Sequence, residues 1–164
     1  MPQYFDRYIN LVANIELSKA FDDSIWQLDK VDRNLLTKLD GKIYAPDKWT
    51  IKNIIQHIID FERILVYRSL LFARREGSIP KSVDENLLAA NMNAERRAID
   101  ELINELKIVR ASTKVMFESF DDEMLLYKGT NWKYEISVLA MGFAIVGHQI
   151  HHLKIIEEKY HSLV

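Results

Sequence analysis

Apolar side chains recur every three to four positions through four long stretches of this chain, the spacing of one face of an α-helix. The first stretch runs from about Ile15 to Leu39 and carries Phe21, Ile25, Leu28, Leu35, Leu36 and Leu39 before Gly41 ends it. In the second, Thr50 of Asp47-Lys48-Trp49-Thr50 supplies an N-cap, and Ile51, Ile54, Ile55, Ile58, Phe61, Ile64, Leu65, Leu71 and Phe72 follow until Gly77 and Pro80. The third covers about Asn93 to Ser119, its stripe being Ile99, Leu102, Ile103, Leu106, Val109, Met116 and Phe117, with Phe120 just beyond. A polar stretch around Gly129-Thr130-Asn131 precedes the fourth, about Glu135 to Tyr160, where Leu139 to Val146 is apolar on nearly every side and predicts the most buried helix. Strand-like alternation and internal repeats are lacking, and only five glycines and three prolines punctuate the chain. The pattern therefore predicts an all-α four-helix bundle.

The fourth stretch also carries the candidate chemistry. Gly147-His148-Gln149-Ile150-His151-His152 places His148 and His152 on one helix face, about 40° apart in direction and roughly 6 Å apart in height, close enough for two ring nitrogens to reach one metal ion. His57, on the second predicted helix, shares a face with Ile54, Phe61 and Ile64 and would complete a three-histidine site with a coordination position left free. Histidines on such stripes are also met as hydrogen-bonded core residues, so the pair alone leaves both possibilities open. A shared cation would give all three imidazoles a partner. His151 projects about 60° to the side of His148, and His161 is close to the C-terminus.

If the three histidines do share a site, the topology follows. His57 lies roughly 10 Å below the start of its helix, and in an up-down-up-down bundle His148 and His152 would lie roughly 20–25 Å below the same end. Metal bonds of about 2 Å cannot bridge that mismatch. The connection from about Arg75 to Met92 is long enough to run the length of the bundle. As a crossover between helices 2 and 3 it gives an up-down-down-up order, with the histidines nearly level.

Composition narrows the function. A chain of 164 residues, 48% of them apolar, is expected to form a single domain, 1–164, with enough core to fold without staples. The absence of cysteine excludes disulfides, Cys-ligated metals and a thiol nucleophile from the chain itself. A net charge of −2 with scattered Lys and Arg gives no basic stripe, so no nucleic-acid partner is expected. No apolar run reaches the roughly 18–20 residues of a membrane span, and Met1-Pro2-Gln3-Tyr4-Phe5-Asp6 does not look like a signal peptide. A soluble, cytoplasmic protein is expected.

Tyr44-Ala45-Pro46-Asp47-Lys48-Trp49-Thr50-Ile51-Lys52, then His57, Asp60, Glu62-Arg63 and Tyr67-Arg68, then Val83-Asp84-Glu85-Asn86 and Gly147-His148-Gln149-Ile150-His151-His152 resemble the DinB-like superfamily, including the YfiT-type bacillithiol transferases. The likeness spans almost the whole chain. Its most specific part is the ordered set of a Lys-Trp-Thr helix start, one His on helix 2 and Gly-His-x-x-His-His on helix 4. The resemblance implies an up-down-down-up bundle that binds a divalent metal, often zinc or nickel, through His57, His148 and His152. Where the family commonly shows an aromatic before Asp-Glu, this chain has Val83.

The resemblance further implies a metal-dependent transferase or isomerase using a low-molecular-weight thiol, with a metal-dependent hydrolase or a non-enzymatic stress or sensor protein as alternatives. Either chemistry suits an open three-histidine site, because zinc-like ions bring bound water to a pKa of about 7 and deprotonate a coordinated thiol outright. Without cysteine, the thiol has to come from a cofactor. The expected partner is a small-molecule substrate, and similar bundles often pair as homodimers. Asp60, one turn from His57, is a candidate to orient an imidazole or act as general base, and equally a solvated helix charge. Arg68 lies about 16 Å along the axis from His57 and is expected to pair with a bundle carboxylate. Glu62 projects about 140° from His57 and is assigned to packing or pairing. Asp84 is a candidate to close over the site mouth. Trp132 and Tyr134 are expected at the opposite end, in a structural role.

Overall fold

The computed structural model describes residues 4–164, so the Met1-Pro2-Gln3 start of the segment discussed above lies outside the described residues. The chain begins with a short helix, α1 (Asp6–Ile9), followed by α2 (Leu17–Lys30), α3 (Arg33–Lys38) and α4 (Ile51–Ala73). Then come α5 (Glu85–Asn91), a single 3₁₀ turn at Ala94–Arg96, α6 (Ile99–Glu118) and α7 (Asp122–Leu126). A hairpin of β1 (Lys128–Asn131) and β2 (Tyr134–Ser137) leads into α8 (Val138–Tyr160), which ends in a 3₁₀ turn at His161–Leu163. Among the described residues no helix is long and apolar enough to cross a membrane.

The four expected helices are present with shifted limits, each shift having a local cause. The first breaks in two because Val31 is extended and the Asp32 carboxylate accepts from Leu35 N–H at 3.0 Å, starting α3 afresh. The third begins at Ile99 rather than near Asn93, since Asn93 takes a left-handed conformation at φ 50° and Ala98 is extended. The fourth begins at Val138, where Ser137 Oγ accepts from Ala140 N–H at 3.2 Å. The residues before it form the hairpin, which pairs Lys128 with Ser137 and Asn131 with Tyr134 and departs from the expectation of no strands. Strands this short show no alternation, and Trp132, at φ 59°, occupies a turn position that usually announces itself by Gly or Asn. The Arg75–Met92 connection contains α5, capped by Asp84.

α2 and α4 each pack against α6 and α8. Along α2 and the start of α3, the residues paired with α6 run in the opposite sense to it, from Arg33–Asp100 through Asp29–Lys107 to Asp22–Lys114. Between α4 and α6 they rise together: Arg97 binds Gln56, and Arg110 binds Glu62. The segment that leaves α4 at Arg74 meets the first turns of α4 again through Arg97 and through the Glu95 carbonyl, which accepts from Lys52 Nζ.

Two apolar clusters fill the bundle, one around Phe21, Leu65, Phe117 and Val146, the other around Leu28, Ile59, Leu106 and Ile156. On every long helix a buried polar residue falls between its contributions to the two. Arg110 of α6 donates from Nε and Nη2 to both oxygens of Glu62 on α4, at 2.9 and 2.8 Å, and from Nη1 to Ser24 Oγ on α2 at 2.6 Å. Thr113 Oγ1 adds a bond to Glu62 at 2.7 Å, and Gln149 of α8 donates to the Ser24 carbonyl at 2.9 Å. This network joins all four helices, so of packing and pairing it is pairing that holds for Glu62, and its partner is the fully buried Arg110.

Gly147 sets how α1 meets α8. A Cβ at this position would stand 2.0 Å from the Tyr8 carbonyl oxygen, which belongs to backbone and cannot swing away. Gly147→Ala is expected to lift α1 and lower stability by about 1–3 kcal/mol, with amide exchange at Asp6–Ile9 rising more than elsewhere. Arg110→Met is expected to cost about 3–5 kcal/mol in urea unfolding, because it strands the Glu62 charge. Glu62→Leu combined with Arg110→Met should recover most of that loss.

Candidate metal centre

His57 stands on the second turn of α4, whose start is fixed by two neighbours. Thr50 Oγ1 accepts from Asn53 N–H at 3.3 Å, and the Trp49 carbonyl accepts from Tyr160 OH at the end of α8. The Trp49 ring lies 4.8 Å from the His57 ring. From α8, His148 and His152 project from successive turns toward His57. The three Nε2 atoms converge: His57 to His148 is 3.2 Å and His152 to His148 is 3.1 Å. The ligand atoms of the three all lie within 4.8 Å of one another.

This arrangement fits a single ion. Nitrogens held at 2.0–2.1 Å around a tetrahedral centre are about 3.3 Å apart, close to the two observed separations. Hydrogen bonds alone serve the cluster poorly, since His148 Nε2 faces two other nitrogens and can either donate or accept, but not both. Nδ1 of His152 is buried without a partner. Three lone pairs directed at one cation remove the conflict at Nε2.

The surroundings hold the imidazoles uncharged. Burial pushes the pKa of His57 down to about 4 and that of His152 to about 3, the latter also opposed by a charge on His57. His148 is lowered well below the usual value, again chiefly by burial. Neutral imidazole is the ligating form, so near pH 7 the three nitrogens need lose no proton before binding. Phe61 stacks on His148 with ring centres 5.2 Å apart, and Tyr8 of the α1 turn meets the same ring edge-on at 5.2 Å. Together with Tyr4, Phe5 and Trp49 they enclose a cavity of about 130 Å³ beside the histidines.

Other residues singled out in the sequence are placed differently. Asp60 is bonded to Gln56 rather than to an imidazole among the described residues: its carboxylate accepts from Gln56 Nε2 at 2.9 Å, and the Gln56 amide oxygen accepts from Arg97. The Asp60 carboxyl is raised by partial burial, within a group that includes Arg63, Arg97 and Glu105. Arg68 has no ion pair with a carboxylate among the described residues and instead donates to Asn131 Oδ1 and to the Lys81 carbonyl. Asp84 caps α5 through the amides of Asn86 and Leu87. His151 lies half-buried against Tyr8, 5.4 Å between ring centres, and joins the lining of the histidine cavity. His161 is exposed in the terminal turn.

Trp132 corrects the expectation of a remote structural role. The hairpin brings it, with Arg68, Val83 and Asp84, into the wall of a second cavity of about 340 Å³. This cavity shares Tyr4, Phe5, Phe61 and Glu85 with the histidine cavity, so the two adjoin. Tyr134 stacks on Tyr4, with ring planes 11° apart. The aromatic contribution of Tyr4, Phe5 and Tyr8 was missed because their segment is too short for helical periodicity to register; its aromatic density was the only signal.

Comparison with curated proteins gives no match. Among solved structures the fold is similar to that of YfiT from Bacillus subtilis, described as a probable metal-dependent hydrolase with an unusual four-helix bundle topology. The two share 16% identity with a TM-score of 0.71, the match covering 97% of this chain and 87% of YfiT. At that identity the likeness concerns the fold. The model of the DinB superfamily matches residues 21–156, which contain all three histidines, the whole of α4 and most of α8. The chain belongs to the DinB superfamily.

Proposed function

We propose that the protein is a metal-dependent enzyme acting on small molecules, in which His57, His148 and His152 hold one divalent ion, zinc or nickel, with a free position facing the cavity under α1. The observation that carries this reading is the convergence of three uncharged Nε2 atoms at 3.1 and 3.2 Å. The ion would supply Lewis acidity sufficient to bring a coordinated water or thiol toward a neutral pKa. The chain supplies the rest. Tyr8, Trp49 and Phe61 limit water around the imidazoles and fix their ring planes, and the aromatic wall continues toward the larger cavity, where a substrate has room.

Transfer of sulfur from a low-molecular-weight thiol to an electrophile is the first reaction in this proposal. The chain has no cysteine of its own. Asp60, a candidate general base, is engaged with Gln56, which favours a nucleophile able to lose its proton without a protein base. Hydrolysis is the second reading, favoured by the likeness to a protein described as a probable metal-dependent hydrolase. The proposal includes an up-down-down-up order with a crossover between α4 and α6, supported by the ascending Gln56–Arg97 and Glu62–Arg110 pairs and the descending pairs of α2 and the start of α3 with α6. It also places the protein in the cytoplasm, where such thiols are reduced.

Metal analysis of untagged protein is expected to find one divalent ion per chain, and Ala at His57, His148 or His152 to weaken its binding by more than about 100-fold. Retention of tight binding by all three variants would refute the site. Metal-loaded protein is then expected to consume a haloarene only when a small thiol is present. Turnover of ester or amide substrates without thiol would establish the hydrolytic reading, and a full metal site with no turnover in either panel would favour a binding or sensor role.

A further inference from the structure

Three side chains that carry a fixed charge are buried among the described residues, Glu62, Arg68 and Arg110, and two of them neutralise each other. Among the described residues Arg68 has no carboxylate within ion-pair distance, and the acidic side chains in its cavity, Asp84 and Glu85, do not pair with it. Its guanidinium makes two polar contacts, donating from Nη1 to Asn131 Oδ1 and from Nη2 to the Lys81 carbonyl at 2.9 Å. Five N–H groups are available on an arginine, so donors remain. Asn131 is itself held, its amide reaching Met141 Sδ at 3.4 Å. A buried, oriented cation with no directly paired carboxylate is costly to the fold, and a bound anion would offset that cost.

Arg68 lines the 340 Å³ cavity, with Tyr4, Phe5, Phe61 and Trp132 as its aromatic walls. His57, Phe61, Leu65 and Arg68 follow one another along one face of α4, so the histidines and the guanidinium look into connected space. Arg68 lies about 16 Å beyond His57 along the axis by helical rise, and helical side chains tilt toward the N-terminus, so the guanidinium-to-imidazole interval is expected to be shorter than that. Asp84 and Glu85 stand on the cavity rim. Their charge opposes a dianion such as phosphate more strongly than a monoanion, and a planar carboxylate matches one edge of the guanidinium.

We propose that Arg68 anchors the carboxylate of the substrate, a small acid with an apolar or aromatic body lying between Phe61 and Trp132 and its opposite end beside the three histidines. What happens at that end rests on the proposed metal-dependent function; the capture of the acid does not. The cavity is then a selectivity device, in which the charge recognises the acid end and the aromatic walls take the body.

Calorimetric titration with phenylacetate, phenylacetamide and phenyl phosphate tests this on the full chain, as purified and after chelation. Phenylacetate is expected to bind at least about tenfold more tightly than phenylacetamide. Arg68→Gln should erase that preference, Arg68→Lys should retain part of it, and Trp132→Ala at the hairpin tip should weaken acid and amide alike. Equal binding of acid and amide by the native protein, or no binding of either, would overturn the proposal, as would a preference that survives Arg68→Gln or tighter binding of phenyl phosphate. Should Arg68→Gln fail to fold, the native acid-to-amide ratio and Trp132→Ala decide. The triple variant His57→Ala/His148→Ala/His152→Ala, in which no ion can ligate the acid, should keep the preference. Native protein that binds no metal yet prefers the acid would sink only the metal reading, and native protein that binds metal yet shows no preference would sink only this one.

Discussion

The arrangement of the molecule depends on a buried ion pair. Arg110 and Glu62 meet where four helices converge, and the pair is tolerable there only because Ser24, Thr113 and the two-pronged guanidinium contact leave neither charge unsatisfied. Hydrophobic packing alone would let helices slide by a turn at small cost. A charge pair that must close in one geometry sets the relative height of α2, α4 and α6, and the bond from Gln149 to the Ser24 carbonyl adds α8. The two apolar clusters above and below this level then interlock at a fixed register.

That register reaches the histidines directly. Glu62 is five residues from His57, and Gln149 is the neighbour of His148, so the residues that fix α4 and α8 in the bundle lie within about two turns of those that converge on its flank. On α4, Glu62 and His57 point in directions about 140° apart, which lets one helix bind α6 with one face and complete the cluster on α8 with another. A shift of one turn would move a nitrogen by about 5 Å and destroy a spacing of about 3 Å. The ion pair and the histidine cluster are thus parts of one constraint.

The surroundings of the cluster come from distant stretches of chain. α1 covers it because Gly147 admits the Tyr8 backbone, Trp49 closes it from the start of α4, and Phe61 separates it from the Arg68 cavity. Aromatic rings dominate, and their effect is electrostatic as well as steric: with little water nearby, the imidazoles stay neutral while the Arg68 guanidinium loses hydration. A neutral donor set at one end and a cation with no directly paired carboxylate at the other give connected cavities a chemical polarity.

The sequence by itself determined the four long helices, since stripes such as Ile51 to Phe72 and Leu139 to Val146 allow little else, and it determined that His148 and His152 share a face, because helical spacing fixes that locally. It also assigned Glu62 to packing or pairing, without deciding between them. Limits of elements were less legible. Asp32, Asn93 and Ser137 each redirect the backbone by a single side-chain bond or a left-handed residue, and apolar periodicity does not register either. Only tertiary structure decided that Asp60 turns to Gln56, that Arg110 is the partner of Glu62, and that Arg68 faces a cavity beside Trp132 rather than a carboxylate. The physical reason is that a repeat along one helix reports which side of that helix is buried. What a buried side chain meets depends on residues dozens of positions away, brought near by packing that no local spacing records.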